Sequence, residues 1–242
     1  LHPDPEQIAS GLSRAGITRL DAFLAGHTHY DHVLDAPVIA RLTGAVLAGS
    51  SSFAHLARAE GIAENQIQIV EPGDHTQFGP LRVEWIASRH NHPDLARGEI
   101  PARCRLPAHA RAYRGGTMFA LRILSPAGTL GVLGSAGSFA GMFDDRPVDS
   151  LFLSIAGLSR LPDRHFSLYF DQSILSSQAR ILYPIHWDDF FRPISTAPQR
   201  LPRLLDDIQR SMDRLQGLCA AHRVQLIIPP FFLPFDPFSD VK

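Results

Sequence analysis

Apolar residues along the chain fall into short runs, each closed by glycine, proline or a polar cluster, with stretches of helical spacing between them. Asp4-Pro5-Glu6 predicts a helix start, with Asp4 as N-cap and Pro5 at the first helical position, running to about Gly16. Leu20 to Ala25 reads as a short buried strand. Asp35-Ala36-Pro37 opens a helix ending near Gly44, a strand follows over Ala45 to Ala48, and Ser51 or Ser52 caps a helix that stops before Gly61. Ile67 to Val70 and Leu81 to Ala87 are predicted strands, the second alternating apolar and polar residues. Thr117 to Leu124 and Thr129 to Leu133 form a predicted hairpin across Ser125-Pro126-Ala127-Gly128. Leu151 to Ile155 and Arg180 to Tyr183 are further strands, Pro202 to His222 a long amphipathic helix, and Val224 to Ile228 a last strand. Such alternation predicts a layered α/β fold, and 242 residues suffice for a single domain over 1–242. Between Asp94 and Gly116 periodicity disappears and Pro, Arg and Gly accumulate, which predicts a long functional loop or flap.

Composition narrows the function classes. Hydrophobic content of 45% and charged content of 19% are those of a globular protein, and a net charge of −1 weighs against nucleic acid or an anionic membrane as partner. A small molecule, anionic or lipid-like, is the expected partner. Lys242 is the only lysine, which we read as a genomic bias toward arginine rather than as chemistry. Cys104 and Cys219 make no disulfide framework and are expected to be free thiols. No apolar run is long enough to span a membrane, so a cytoplasmic location is expected. The first residue is Leu1 rather than Met, and export through an upstream segment stays open.

The chemistry concentrates where strands end. His27-Thr28-His29-Tyr30-Asp31-His32 packs three imidazoles and a carboxylate into six residues just beyond an apolar run closed by Gly26. Imidazole and carboxylate together suit Zn²⁺, with Mn²⁺ or Fe²⁺ as alternatives. Alternate residues of an extended backbone point the same way, so His27 and His29 can converge on one ion while Asp31 and His32 reach a neighbouring position. His90 and His92 follow the strand ending at Ala87, and His186 follows Pro184-Ile185. No Gly-x-Ser-x-Gly elbow and no phosphate-binding glycine loop is present.

This His-x-His-x-Asp-His cluster, with later histidines at strand ends, resembles the metallo-β-lactamase superfamily of metal-dependent hydrolases over about Leu20 to His186. His29-Tyr30-Asp31-His32, Gly134-Ser135-Ala136-Gly137 and Pro184-Ile185-His186-Trp187-Asp188-Asp189-Phe190 are similar to a branch near the ascorbate-phosphate lactonase and phospholipase-D-like members. The resemblance implies a four-layer αββα sandwich with a dinuclear site holding one or two Zn²⁺ along a sheet edge. His27, His29 and His90 would hold the first metal, with His92 as an alternative to His90; Asp31, His32 and His186 would hold the second. Asp31 and His186 carry the catalytic expectation. Two departures stand out. Ser135 occupies the place of the usual bridging aspartate, so Asp188 or Asp189 is a candidate replacement ligand, unless one of them caps the following turn. The usual strands ahead of the histidine motif are not visible, and they are expected to be missing from the chain or replaced in some other way.

The implied reaction is hydrolysis of a small ester, lactone or phosphodiester by metal-bound hydroxide, available because a zinc-type centre lowers the pKa of its water to roughly 7. The rivals are a β-lactamase-like amide hydrolase and a metal-binding or sensor protein with weak turnover. Arg103, Arg105, Arg111, Arg114 and Tyr113 are candidate substrate-binding residues, since guanidinium groups fork onto phosphate or carboxylate; a solvated loop in an arginine-rich protein is the competing reading. The aromatic tail with Phe231, Phe232, Phe235 and Phe238 is expected to pack back over the domain and to help wall an apolar pocket.

Overall fold

The structure, a computed structural model, describes residues 1–193 and 197–239. Its core is two facing sheets. The smaller is parallel, with β1 (Ala22–Leu24), β2 (Val46–Gly49) and β3 (Ile67–Ile69) in that order. The larger contains β4 (His75–Phe78), β5 (Leu81–Ala87), β6 (Phe119–Ser125), β7 (Gly128–Leu133), β8 (Ser150–Ser154), β9 (Ile181–Ile185) and β10 (Gln225–Leu226), adjacent in sequence order. Strands β4 to β7 pair antiparallel, and β7 to β10 pair parallel. Consequently β5, β7, β8 and β9 point the same way, and their C-terminal ends share one edge of the sheet.

Periodicity explains the layers. In β5, Val83 and Trp85 face the small sheet, where they join Ala48, Val70, Phe119 and Leu121 in the inter-sheet core. Trp85 is fully buried, and its indole N–H donates to Thr76 Oγ1 at 3.0 Å. Helices α3 (Ala36–Thr43) and α4 (Ser51–Ala59) cover the outside of the small sheet through Ala36, Ala40, Phe53 and Leu56. On the far face of the large sheet, Leu151, Leu153 and Leu182 pack against α5 (Asp163–Phe170) and α6 (Ile208–His222) through Phe166, Phe170, Leu215 and Cys219. Two helical layers enclosing two sheets make the αββα sandwich.

Local chemistry sets the element ends. Asp4 caps α1 (Pro5–Arg14) by accepting from the Glu6 and Gln7 N–H groups, both at 3.1 Å. Several predicted limits move. The cap of α4 is Ser50, accepting from Phe53 N–H, rather than Ser51 or Ser52, which lie inside the helix. The last long helix starts at Ile208, since Pro202 begins a turn and Asp207 supplies the cap to Arg210 N–H. Pro184 lies within β9, tolerated because β10 pairs only with Ile181 and Leu182 and leaves that flank free. Strand β4 and helix α5 lack a clean apolar period, and the sequence pattern did not predict them. Both cysteines are free.

No strand precedes β1 among the described residues. The inner face of β8 and β9 is covered instead by the C-terminal tail. Phe235 lies against Phe152 and Tyr183, with ring centroids 6.3 and 5.3 Å away, and Ser150 Oγ and Tyr183 OH donate to Pro237 O at 2.5 and 3.4 Å. The Arg14 guanidinium sits over the Phe232 ring at 4.1 Å. The tail thus packs back, as its composition predicts.

Candidate metal centre

Of the histidines singled out in the sequence, His27, His29, His32, His90 and His186 come together at one edge, and His92 does not. The chain leaves β1 extended through His27, caps a one-turn helix α2 (Tyr30–Val33) with His29, and places Asp31 and His32 in that turn. His90 follows β5. His186 follows β9 in a left-handed conformation, φ +59, which redirects its side chain after the strand. That conformation costs a non-glycine residue on the order of 1–3 kcal/mol, a strain typical of functional positions.

Two clusters result. One ligand-capable atom from each of His27, His29 and His90 lies within 4.8 Å of the others, and the same holds for Asp31, His32 and His186. The clusters adjoin, since the His27 and His32 ring centroids are 3.9 Å apart. In the first, His29 Nδ1 lies 3.1 Å from His90 Nε2. The opposite nitrogens of both rings have fixed partners: His90 Nδ1 lies 3.0 Å from Asn91 O, and His29 Nε2 lies 3.3 Å from Ala96 O and 3.5 Å from Asp94 Oδ1. Both carbonyls can only accept, so each outer nitrogen carries the hydrogen and the inner nitrogens present lone pairs to the centre. His27 Nε2 is buried with no hydrogen-bond partner among the described residues. An orphaned buried nitrogen flanked by two inward lone pairs is what a divalent cation would satisfy, so these residues fit a metal.

In the second cluster, Asp31 Oδ2 lies 3.3 Å from His186 Nε2 and 3.4 Å from His32 Nε2. Burial pushes the Asp31 carboxyl up, but the hydrogen bond from His186 and the nearby His32 outweigh it and hold the group at about 2. Burial and the surrounding imidazoles drive His27 well below the ordinary histidine range. Burial brings His32 to about 4 despite Asp31, and it lowers His90 as well. His186 is raised: burial opposes its charge, but the Asp31 hydrogen bond prevails. Of the five imidazoles, His27, His32 and His90 thus resist protonation and Asp31 is ionised, so these four donors would meet a cation with little competition from protons.

The remaining candidates separate. His92 turns away to Arg97, 3.0 Å from its guanidinium, and joins neither cluster. Ser135 lines the cavity over the clusters, and its Oγ accepts from Asn91 N–H at 3.3 Å. Asp189 accepts from Phe191 N–H and Arg192 Nε, so it caps the following turn. Asp188 borders the cavities beside His32 and His186 and belongs to neither cluster. Of the arginines, Arg111 lines the 450 Å³ cavity above the clusters and Tyr113 backs it; Arg103, Arg105 and Arg114 are not among its walls.

The Asp94–Gly116 segment is laced at its neck. Gly115 N–H donates to Ala96 O and Gly116 N–H to Gly98 O, while Thr28, between the paired histidines, donates from Oγ1 to Arg114 O. Ile100 and Tyr113 are buried against α4, and Ser52 Oγ accepts from Ile100 N–H at 2.9 Å. Sequence reasoning missed Asn91 and Asp94, whose only signal was proximity to His90. It also left Gly137 unexplained: a Cβ there would lie 2.2 Å from Arg89 O, so only glycine lets this strand exit press against the backbone that carries His90.

Residues 3–187 match the family described as the beta-lactamase superfamily domain. Among solved structures, Igni18, a novel metallo hydrolase from the hyperthermophilic archaeon Ignicoccus hospitalis, is 18% identical with a TM-score of 0.54, covering 88% of this chain and 77% of its own. An isothiocyanate hydrolase from Delia radicum gut bacteria is 15% identical with a TM-score of 0.52, over 93% and 80% of the two chains. CmlA, a diiron β-hydroxylase from Streptomyces venezuelae, is 14% identical with a TM-score of 0.57, over 87% of this chain and 44% of its own. No curated protein matches the chain. With the family match over most of its length, the chain belongs to the beta-lactamase superfamily.

Proposed function

We propose that this hydrolase cleaves a small ester, lactone or phosphodiester at a metal centre held by His27, His29 and His90 on one side and Asp31, His32 and His186 on the other. The observation that carries the reading is the buried, unpartnered His27 Nε2 set among the inward lone pairs of His29 and His90. A divalent cation there supplies Lewis acidity and a nucleophilic water near neutral pH. The residues supply the rest. Asp31, ionised at any physiological pH, is a standing acceptor that can orient the attacking water by hydrogen bonding. In the metal-free centre His186 Nε2 keeps Asp31 in place by donating to it. The 450 Å³ cavity, walled by Pro93, Leu95, Ala110, Tyr30 and Phe190, admits a small molecule and presents it to both clusters.

Ser135 favours unequal occupancy. A neutral hydroxyl already engaged by Asn91 N–H contributes no negative charge, so the histidine cluster should bind metal more tightly than the Asp31 cluster. Zn²⁺ is the cation this donor set suits best, with Mn²⁺ and Fe²⁺ next. Elemental analysis of the purified protein should give between one and two metals per chain. Dialysis against a chelator should abolish hydrolysis of p-nitrophenyl esters, lactones or bis-p-nitrophenyl phosphate, and added Zn²⁺ or Mn²⁺ should restore it. Undiminished turnover by fully demetallated protein would refute the reading.

A further inference from the structure

The cavity over the two clusters has an uneven wall. Its floor is polar and belongs to the centre: His29, His90, Asp31 and His186. Above them the wall is mostly apolar, with Pro93, Leu95, Ala96, Ala110 and Phe190, interrupted by the neutral polar groups of Asn91, Ser135 and Ser154. Leu95 is 87% exposed, so an apolar side chain stands at the rim with little protein covering it. One cation breaks this surface. Arg111 is the only basic side chain other than histidine among the lining residues, and Asp31 is the only acid.

Arg111 is also placed as a binding group. It sits in the single 3-10 turn Ala110–Ala112, whose backbone is closed by Ala112 N–H to His109 O at 2.9 Å and Tyr113 N–H to Ala110 O at 3.1 Å. Tyr113, next but one, is buried in the core beside Ile100 and anchors the turn. Arg111 itself forms no ion pair or hydrogen bond among the described residues, unlike Arg97 with His92 or Arg122 with Glu84. A guanidinium on a fixed turn, with no protein acid to neutralise it, keeps its bidentate fork for an anionic oxygen group.

We propose that the cavity is selective for a small amphipathic substrate with one anionic group remote from its scissile bond: an ester, lactone or phosphodiester whose scissile group meets the metal clusters, whose apolar body lies along Pro93, Leu95 and Phe190, and whose remote carboxylate or phosphate is gripped by Arg111. This rests on the hydrolytic reading above and adds to it the charge and polarity of the substrate. A single cation suits a single anionic group. The rest of the wall holds no second cation and disfavours a second remote anionic group, since that group would lose water without gaining an ionic partner.

The test compares matched p-nitrophenyl esters on the metal-loaded protein: a neutral alkyl ester, the same ester ending in a carboxylate, and one ending in a phosphate. Arg111→Gln should raise KM for both anionic esters on the order of tenfold, with kcat nearly unchanged and the neutral ester unaffected. Arg105→Gln, outside the cavity, should change none of them. Calorimetry with hexanoate, hexyl phosphate and hexanol provides the arm that needs no turnover: wild type should bind the two anions more tightly than the alcohol, and Arg111→Gln should remove that preference. Carboxylate against phosphate in each arm identifies which anion the site prefers. The proposal fails if Arg111→Gln affects neutral and anionic probes alike, or if Arg105→Gln reproduces its effect. If no ester is hydrolysed while the anions still bind through Arg111, the hydrolytic reading fails and the anion site stands.

Discussion

Asp94 shows how much of this centre depends on residues that bind no metal. Its carboxylate, almost buried, faces the outer nitrogen of His29 at 3.5 Å and accepts from Ala96 N–H at 3.0 Å, so it aligns both the ring and the Ala96 carbonyl beside it. Outer partners of this kind commonly contribute about 10–100-fold to metal affinity. Asp94→Ala should weaken Zn²⁺ binding by that order in a competition titration with a chromophoric chelator, leaving the melting temperature of the metal-free protein nearly unchanged. Asp94→Asn retains an acceptor and should fall between the two. Equal affinity in all three proteins would show that His29 needs no such support. Beyond its nearness to His90, nothing in the sequence pattern marks this aspartate, because its contact with His29 joins residues 65 positions apart whose proximity depends on the fold.

Strand exits and their loops are the working units at the scale of elements. Gly137 leaves the β7 exit free to press on Arg89 and His90, and a β-carbon there would meet the Arg89 carbonyl at 2.2 Å. Gly137→Ala must therefore displace the backbone that carries His90. Metal content of the purified variant should fall well below that of wild type, and stability should drop by about 1–3 kcal/mol, the usual cost of overpacking. Near-normal metal content in urea-titrated, folded Gly137→Ala would contradict this. The Asp94–Gly116 segment is the counterpart. Its irregular composition reads as a loop, yet Ile100 and Tyr113 bury their side chains and hydrogen bonds from Gly115, Gly116 and Thr28 lace its neck. Single apolar residues in a run of Arg, Pro and Ala carry no periodicity, so their burial was not legible beforehand.

Over the whole molecule, folding gathers five imidazoles into one small volume, and this has a pH signature. In the metal-free protein His27, His32 and His90 are held below the ordinary histidine range, first by burial and then by one another, with His32 at about 4. The unfolded chain protonates these rings below roughly pH 6.5 while the folded one resists. The unfolded state therefore binds more protons in that range, and stability is full above about 6.5 and declines as pH falls toward 4. His186, raised by Asp31, opposes this in part, and Asp31 itself titrates too low to matter there. The melting temperature of chelator-treated protein should fall steadily from pH 7 to pH 4.5, and less steeply in His27→Gln. A flat profile would mean that the rings are solvated in solution.

Much of the architecture was readable in advance. Short apolar runs marked β1, β2, β5 and the β6–β7 hairpin, Asp4-Pro5 marked α1, and the histidines at strand ends pointed to a metal site, while the αββα sandwich was implied by the family they resemble. These features are local or strongly patterned, so neighbouring residues are enough to specify them. What came only with tertiary structure is placement: His92 turned away from the cluster that His90 joins, Arg111 rather than Arg103, Arg105 or Arg114 in the cavity wall, Asp189 as a turn cap, and Asp94 and Asn91 behind the His29 and His90 rings. The sequence by itself determined which chemistry the chain carries, because residue types and strand-end positions are written in it. Which side chains share a cavity was decided by the packing of β1, β5, β7 and β9 onto one edge, since only that packing brings together residues far apart in the chain.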